Sequence, residues 1–356
     1  MLQPHDGLLR WTADLAQEAR RNLAGPDQAT WITRLQTEHD NIRVALAWAL
    51  ENDPVRGLAV TTPLAQFWFT HNVERESPSV GTTSYLREGA DWSQRMLDAA
   101  QEAPAELRAR ALVALGGPLQ IRLGEFEAAV ANLKAAEALL GPLDLPGSEG
   151  WAVHYQGIAT WGTVPWHKTV DLFRRALQLF TKAENRRGML FANLLWGYAL
   201  VLEGSEVDEG LERVGRFDQM ARKSEVPDLV GHAAYGTAIV DLMLGRQGRD
   251  VSDRLDEAIR TFDEISNLGC LAHTLQATAL YHAETGDLER AARVSASASA
   301  LRDRLAMVFA PFCGFWPDVK LDTLQPELRE TALEEGRSSS YDGAVEYARE
   351  GLRAAS

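Results

Sequence analysis

Apolar residues recur along this chain at the 3.6-residue spacing of amphipathic helices, and no convincing period-two run bounded by turn residues interrupts them. The pattern is clearest over residues 25–50. Gly25-Pro26 stops whatever precedes it, and Asp27 stands where a helix cap belongs. Trp31, Leu35, Ile42, Leu46 and Ala49 then hold one face, while Arg34, Glu38, Asn41 and Arg43 lie off it. With no Gly or Pro over residues 27–53, this predicts one unbroken helix about 35 Å long at 1.5 Å per residue. A helix over residues 6–23 precedes it, marked by Leu8, Leu9, Trp11, Leu15 and Leu23. A pair over residues 55–71 and 84–101 follows, carrying Leu58, Leu64, Phe67 and Trp68, then Leu86, Trp92, Met96 and Leu97. The Ser-, Pro-, Thr- and Gly-rich stretch between them, residues 71–83, reads as an exposed loop.

Beyond residue 104 the pattern repeats at a spacing of roughly 35–45 residues, the range of helix-pair repeats. Gly124-Glu125-Phe126-x-x-Ala129-x-x-x-Leu133-x-x-Ala136 sets the theme. Gly286-Asp287-Leu288-x-x-Ala291 repeats it closely, Gly204-Ser205-Glu206-x-Asp208-x-Gly210 loosely, and Phe173-x-x-Ala176-Leu177 supplies the same large-then-small pair between them. Gly117, Gly157, Gly197, Gly236 and Ala279 occupy the matching small position on successive first helices. Antiparallel helices approach closely only where side chains are small. Prolines such as Pro104, Pro142, Pro227 and Pro326 stand where helices begin or end. The pattern therefore predicts an all-α fold: a right-handed, tetratricopeptide-like α-solenoid of antiparallel helix pairs. Its parts are N-terminal pairs over residues 1–103, repeats over 104–304 and capping helices over 305–356, forming one continuous solenoid.

Composition narrows what such a scaffold does. The 356 residues carry a formal net charge of −14 without any block of Lys or Arg, which argues against direct binding to nucleic acid or an anionic membrane. Cys270 and Cys313 lie far apart in no CxxC arrangement, which suits a reducing cytoplasm rather than a disulfide framework. No signal-peptide pattern or bilayer-length apolar run appears. The eight histidines form no HExxH and no i, i+4 pair, and no GxSxG or glycine-rich dinucleotide turn occurs. Neither a metal, a cofactor nor catalysis is expected from these motifs.

The stretch Trp31-x-x-Arg34-Leu35-x-x-Glu38-His39-Asp40-Asn41-Ile42-Arg43-x-Ala45-Leu46-x-Trp48 resembles the start of a known family's helical domain. That family is the tetratricopeptide (MalT-like) domain of AfsR-like and LuxR-type large ATPase transcriptional regulators of actinobacteria. Leu86-Arg87-Glu88-Gly89-x-x-Trp92-x-x-Arg95-x-Leu97 resembles the family's next motif. Leu333-Glu334-Glu335-Gly336-Arg337-Ser338, with Gly343-Ala344-Val345 and Ala348 beyond, resembles its closing segment, with Ser339 or Ser340 capping the last helix. The resemblance implies a sensing and protein-interaction role, with a nucleotide-binding or DNA-binding module as partner. The sequence contains no GxxxxGK[ST] phosphate loop and no basic recognition helix. The chain is thus expected to be the sensor portion of such a regulator, excised or separately encoded.

In a helix-pair solenoid the first helices line the concave side. Counting from each small residue, the inward positions are Trp151, His154, Ile158 and Trp161 in one unit and Phe191, Leu194, Tyr198 and Val201 in the next. Thr237 and Val240 follow, with Asp241 beside them, then His273, Gln276 and Leu280. Aromatic walls with a few polar groups suit a small-molecule effector. Trp151, His154, Trp161, Phe191, Tyr198, Asp241, His273 and Gln276 are therefore the candidate binding residues. Two other readings stay open: the ten tryptophans fill gaps in the core, or the face is a groove for a peptide segment. Asp241 beside His273 would allow acid–base chemistry, so a stand-alone binding protein or enzyme on this scaffold is the alternative to a sensor.

Overall fold

A computed structural model describes residues 4–70, 85–204, 206–305, 307–308 and 319–355. Among them there is helix and no strand. The N-terminal helices are α1 (Pro4–Asn22), α2 (Gln28–Thr37), α3 (His39–Asn52), α4 (Pro54–Thr70) and α5 (Tyr85–Ala99). Then come α6 (Ala105–Ala114), a π turn (Leu115–Gln120), the short α7 (Ile121–Leu123), α8 (Phe126–Leu140), α9 (Pro146–Thr160), α10 (Trp166–Lys182) and α11 (Arg186–Glu203). The remainder are α12 (Val207–Ser224), α13 (Pro227–Met243), α14 (Arg249–Glu264), α15 (Leu268–Glu284), α16 (Leu288–Leu305), α17 (Pro326–Ser338) and α18 (Tyr341–Ala355). No helix among the described residues is long and apolar enough to cross a membrane. The loop expected over residues 71–83 and Cys313 lie outside the described residues.

Two compact units divide the chain within α11, one holding the helices up to Leu195 and the other those from Trp196. In the first, α1 packs on α3 and α4, α4 on α5, and α6, α8, α9 and α10 follow in succession. In the second, α12 to α16 succeed one another, α17 covers α16, and α18 lies against α14, α15 and α16.

The backbone marks the repeat more sharply than the side chains do. Left-handed residues alternate along the chain: Gly124, Asp144, Gly162, Glu184, Gly204, Glu225, Gly245, Ser266 and Gly286. Glycine closes each first helix and a non-glycine closes each second helix, and each set recurs about every 41 residues. A Cβ at Gly204, Gly245 or Gly286 would meet nothing within 4 Å, so the backbone angle rather than space selects glycine there. After five of these residues the next amide bonds back to the carbonyl five residues earlier, as Asn185 to Phe180 at 2.9 Å and Asn267 to Phe262 at 2.8 Å. The side chains of those two asparagines then accept the amides of Gly188 and Cys270, so one residue ends one helix and caps the next.

Three expectations change in detail. The long helix over residues 27–53 is two, because Glu38 adopts φ −94 and ψ 3 between α2 and α3. Its carboxylate takes the side-chain amide of Asn41 at 2.7 Å instead of capping the backbone. Asp27 makes no side-chain cap, and Trp31 N–H instead reaches its main-chain carbonyl at 3.1 Å. The small position on the α6 side is Gly116, facing Ala129 and Leu133 of α8, while Gly117 lies under the Tyr155 ring of α9. Pro118 removes a helix donor and its ring crowds the preceding turn, and the π turn that absorbs it adds a residue to the count. Ser340 does cap α18, accepting Gly343 N–H at 3.2 Å.

Arginines tie the outer helices together across repeats. Arg175 on α10 bridges Glu137 of α8 and Glu149 of α9, Arg222 of α12 grips both oxygens of Glu257 on α14, and Arg349 of α18 reaches Asp256 on the same helix. Each exposed pair is worth about 1 kcal/mol or less, so their effect is on register more than on stability.

Gly197 of α11 and Gly210 of α12 show how close the helices come. A Cβ on Gly210 would stand 2.8 Å from the Gly197 carbonyl oxygen, and one on Gly197 would stand 2.9 Å from that of Gly210. Gly210→Ala is expected to cost about 1–3 kcal/mol in urea unfolding. Gly215→Ala, five residues on along the same helix and exposed to open space, should instead gain up to about 1 kcal/mol.

Candidate functional site

Helix α9 starts on Pro146 at its first turn and has Gly150 and Gly157 where it meets the rings of α10. Phe180 of α10 fills the space where a Cβ of Gly150 or of Gly188 would be, and Phe173 does so at Gly157. These two rings clamp His154, with centroids 5.6 Å away for Phe173 and 6.3 Å for Phe180. Trp151 at 5.4 Å and Tyr155 at 5.6 Å complete its surroundings. The imidazole is 2% exposed and its Nδ1 has no hydrogen-bond partner among the described residues. Burial pushes its pKa down to about 3, so it is neutral at physiological pH.

Outward of His154 lies an aromatic strip. Trp151 and Tyr155 are half-buried and stacked, with centroids 5.6 Å apart and planes at 27°. Trp151 leans over Phe180 at 4.9 Å and towards Phe191 of α11 at 6.4 Å. Tyr155 leans the other way, into the gap left by Gly117. Arg187 lies over Phe191 at 5.2 Å. The strip thus runs from α9 to α11 of one unit, with Tyr155 against Gly117 at one end and Arg187 over Phe191 at the other.

The sequence-derived site residues fall into both units. Trp151, His154, Trp161 and Phe191 belong to the first; Tyr198, Asp241, His273 and Gln276 belong to the second. Trp161 leaves the expected stripe, because α9 ends at Thr160 and the seven-residue spacing does not carry past a helix end. Its indole is fully buried edge-on against Trp166 and close to Phe173. Tyr198 and His273 are buried, at 5% exposure each. Asp241 is engaged by Arg246 at 3.1 Å and Arg254 at 3.3 Å, and half-buried Gln276 accepts a hydrogen bond from Ser295. Tyr155 and Arg187 were not singled out by the sequence. The i, i+4 relation of Tyr155 to Trp151 was the available signal.

Two further polar nodes cross helix boundaries. In the first unit Arg43 grips both oxygens of Glu88 at 2.8 and 2.7 Å, and His39 Nε2 stands 3.7 Å from Glu88 Oε1. His39 is buried edge-on to Tyr85, with the Trp68 indole N–H directed at the same nitrogen at 3.5 Å. Despite the cost of burial, the Arg43 hydrogen bond and the His39 and Arg43 charges hold the Glu88 carboxyl below its usual range. In the second unit Asn267 donates to buried Asp228 at 3.2 Å, while His232 Nε2 lies 3.6 Å from Asp228 and 3.8 Å from the Cys270 thiol. Among the described residues no group of three His, Cys, Asp or Glu could hold a metal ion.

No protein-family model matches the chain, and no curated protein matches it in sequence. Solved structures do match in shape. One is the crystal structure of a Rap protein complexed with Competence and Sporulation Factor, with a TM-score of 0.58 at 13% identity over 99% of this chain and 100% of the other. Together with the helical architecture, this makes the chain an all-α, tetratricopeptide-like helical-repeat protein.

Acid stability reports on the buried histidines. His282 of α15, close under Gly351 of α18, is also pushed down by burial, to about 4. Both residues stay neutral in the fold but take up a proton in the unfolded chain below its pKa of about 6.5. Their stabilising contribution is whole above that pH and is lost as pH falls from there towards 4 and 3. The unfolding free energy from urea titrations should drop between pH 6.5 and 5 with a slope approaching about 1.4 kcal/mol per pH unit for each histidine. His154→Leu should remove one histidine's share of that slope.

Proposed function

We propose that this chain is the effector-sensing and protein-interaction domain of a transcriptional regulator of the AfsR-like or LuxR-type class. It works in the cytoplasm without catalysis. A small effector or a partner segment settles on the aromatic strip of the first unit. Binding then selects one arrangement of the repeats and alters contact with a nucleotide-binding or DNA-binding module.

The observation that carries this reading is the strip itself. Half-buried Trp151 and Tyr155 of α9 and Phe191 of α11 stand side by side on two successive first helices, where a repeat protein that merely packed would bury them. Two others support it. The Rap protein of similar fold is complexed with a factor. The two N-terminal motifs that carry the family resemblance are joined in space by Arg43 and Glu88.

Native mass spectrometry of the chain expressed in an actinobacterial host tests it. A co-purified molecule or segment is expected on the wild type and is expected to be lost from Phe191→Ser at unchanged helix content. A purified chain that turns over a metabolite, with turnover abolished by Asp241→Asn or His273→Ala, would mean an enzyme instead.

A further inference from the structure

The last helix of the second unit is held mainly by polar ties, and it closes over a buried histidine. Helix α18 buries Tyr341, Val345, Ala348, Gly351 and Leu352, one stripe at helical spacing, and packs against α14, α15 and α16. Beneath it, α15 is buried over most of its length. Arg349 of α18 pairs with Asp256 of α14 at 2.7 Å, and the Tyr341 hydroxyl donates to Asp263 of α14 at 2.6 Å. Arg290 of α16 donates to the Tyr347 carbonyl at 2.9 Å, and Arg290 and Arg293 lie over the Tyr347 ring at 4.4 and 4.1 Å. Partly exposed ties of this kind contribute little each, so α18 opens more readily than the helices it covers. Where its stripe meets α15 it lies on His282. That imidazole is 2% exposed, and its Nε2 has no hydrogen-bond partner among the described residues. A Cβ on Gly351 would stand 2.8 Å from the same nitrogen, so glycine there lets the α18 backbone seal the ring from water.

We infer that α18 is an acid-released strap: it stays docked while His282 is neutral and lets go when that histidine takes up a proton, uncovering the faces of α14 and α16 on which it packs. A docked α18 keeps water from the charged form of the ring. The charged groups nearby do not compensate. Asp287 and Arg290 at the start of α16 act on the ring in opposite senses, and they engage each other at 3.2 Å. On α14, Asp256 and Asp263 are bound to Arg349 and Tyr341, and on α18 Arg353 pairs with Glu346 at 2.6 Å. Glu284 of α15 accepts from Gln247 at 3.1 Å, and Glu289, Asp342 and Glu350 are exposed. Burial therefore decides, and it lowers the docked histidine to about 4. Once released, the ring returns to its ordinary value of about 6.5. Docking is fully supported above pH 6.5 and loses support as pH falls from there towards 4. For one histidine the released population rises about tenfold between pH 7.5 and 5.5. Ser339, in extended conformation, and Ser340, the cap of α18, link it to α17 and give it a pivot while α17 stays on α16.

Hydrogen–deuterium exchange of the full chain at pH 7.5 and 5.5, each corrected for the intrinsic exchange rate, tests the strap. Peptides from α18 should lose about tenfold in protection at the lower pH, while those from α13 and the first half of α15 keep theirs. His282→Gln should leave α18 equally protected at both pH values. Arg349→Gln should lower its protection at both and keep the tenfold ratio. Gly351→Ala, whose Cβ has no room against His282 and Arg290, should leave α18 unprotected at either pH. Protection of α18 that does not change with pH would overturn the strap. So would a fall of the same size in His282→Gln, or one shared by α13. Where circular dichroism or the urea midpoint of His282→Gln at pH 7.5 departs from wild type, His282→Leu repeats the comparison, and a fall that persists there overturns the strap equally.

Discussion

A ring seated where a Cβ is missing is the contact on which this architecture depends. Phe180 lies against Gly150 and Gly188, Phe173 against Gly157, Phe262 against Gly231, and Trp68 against Gly89. Each seat lets two helix axes approach while a large apolar side chain fills the gap, so close packing and burial are achieved by one pair of residues. Phe180 links three helices in this way, because Gly150 is on α9 and Gly188 on α11. The strip follows from it. Phe173 and Phe180 fill the inside of α9 with His154, and Trp151 and Tyr155 remain half-buried at its edge.

The two units use the same device with different chemistry. In the first, Gly150 seats Phe180 and the next residue, Trp151, lies edge-on to that ring at 4.9 Å. In the second, Gly231 seats Phe262 and the next residue, His232, lies edge-on at 5.3 Å. The substitution of imidazole for indole turns an apolar position into part of a polar node with Asp228, Asn267 and Cys270. The backbone frame is common to both, and the face it presents is set residue by residue. Such a scaffold holds one function in one unit and leaves the corresponding position of the other free for a different task.

Fold class, the helix-pair repeat and most of the helix ends were legible in the sequence because they are local. Gly124, Gly204 and Gly286 announce turns, and the small residues announce close approach. The break at Glu38 was not legible, since no Gly or Pro marks it. The one-residue slip from Gly117 to Gly116 had a signal in Pro118 that a simple count of the repeat ignores. The candidate site was legible only in part. Helical spacing placed Trp151 and His154 together, but the rings that bury His154 come from α10, and spacing within one helix says nothing about them. Trp161 followed the same spacing into the core because the helix had ended one residue earlier. The partnership of Arg43 with Glu88, 45 residues apart, required both motifs to be placed in space.

The alternation of left-handed residues has an evolutionary side. Asp144, Glu184, Glu225 and Ser266 hold a backbone conformation that side chains disfavour by roughly 1–2 kcal/mol each. All four stand in turns between helix pairs. They form a reserve of untapped robustness: a lineage that drifted to Gly or Asn at these turns would gain tolerance for damaging substitutions elsewhere. The exposed sides of the first helices could then diversify against that cushion while the turns absorb the mutational load.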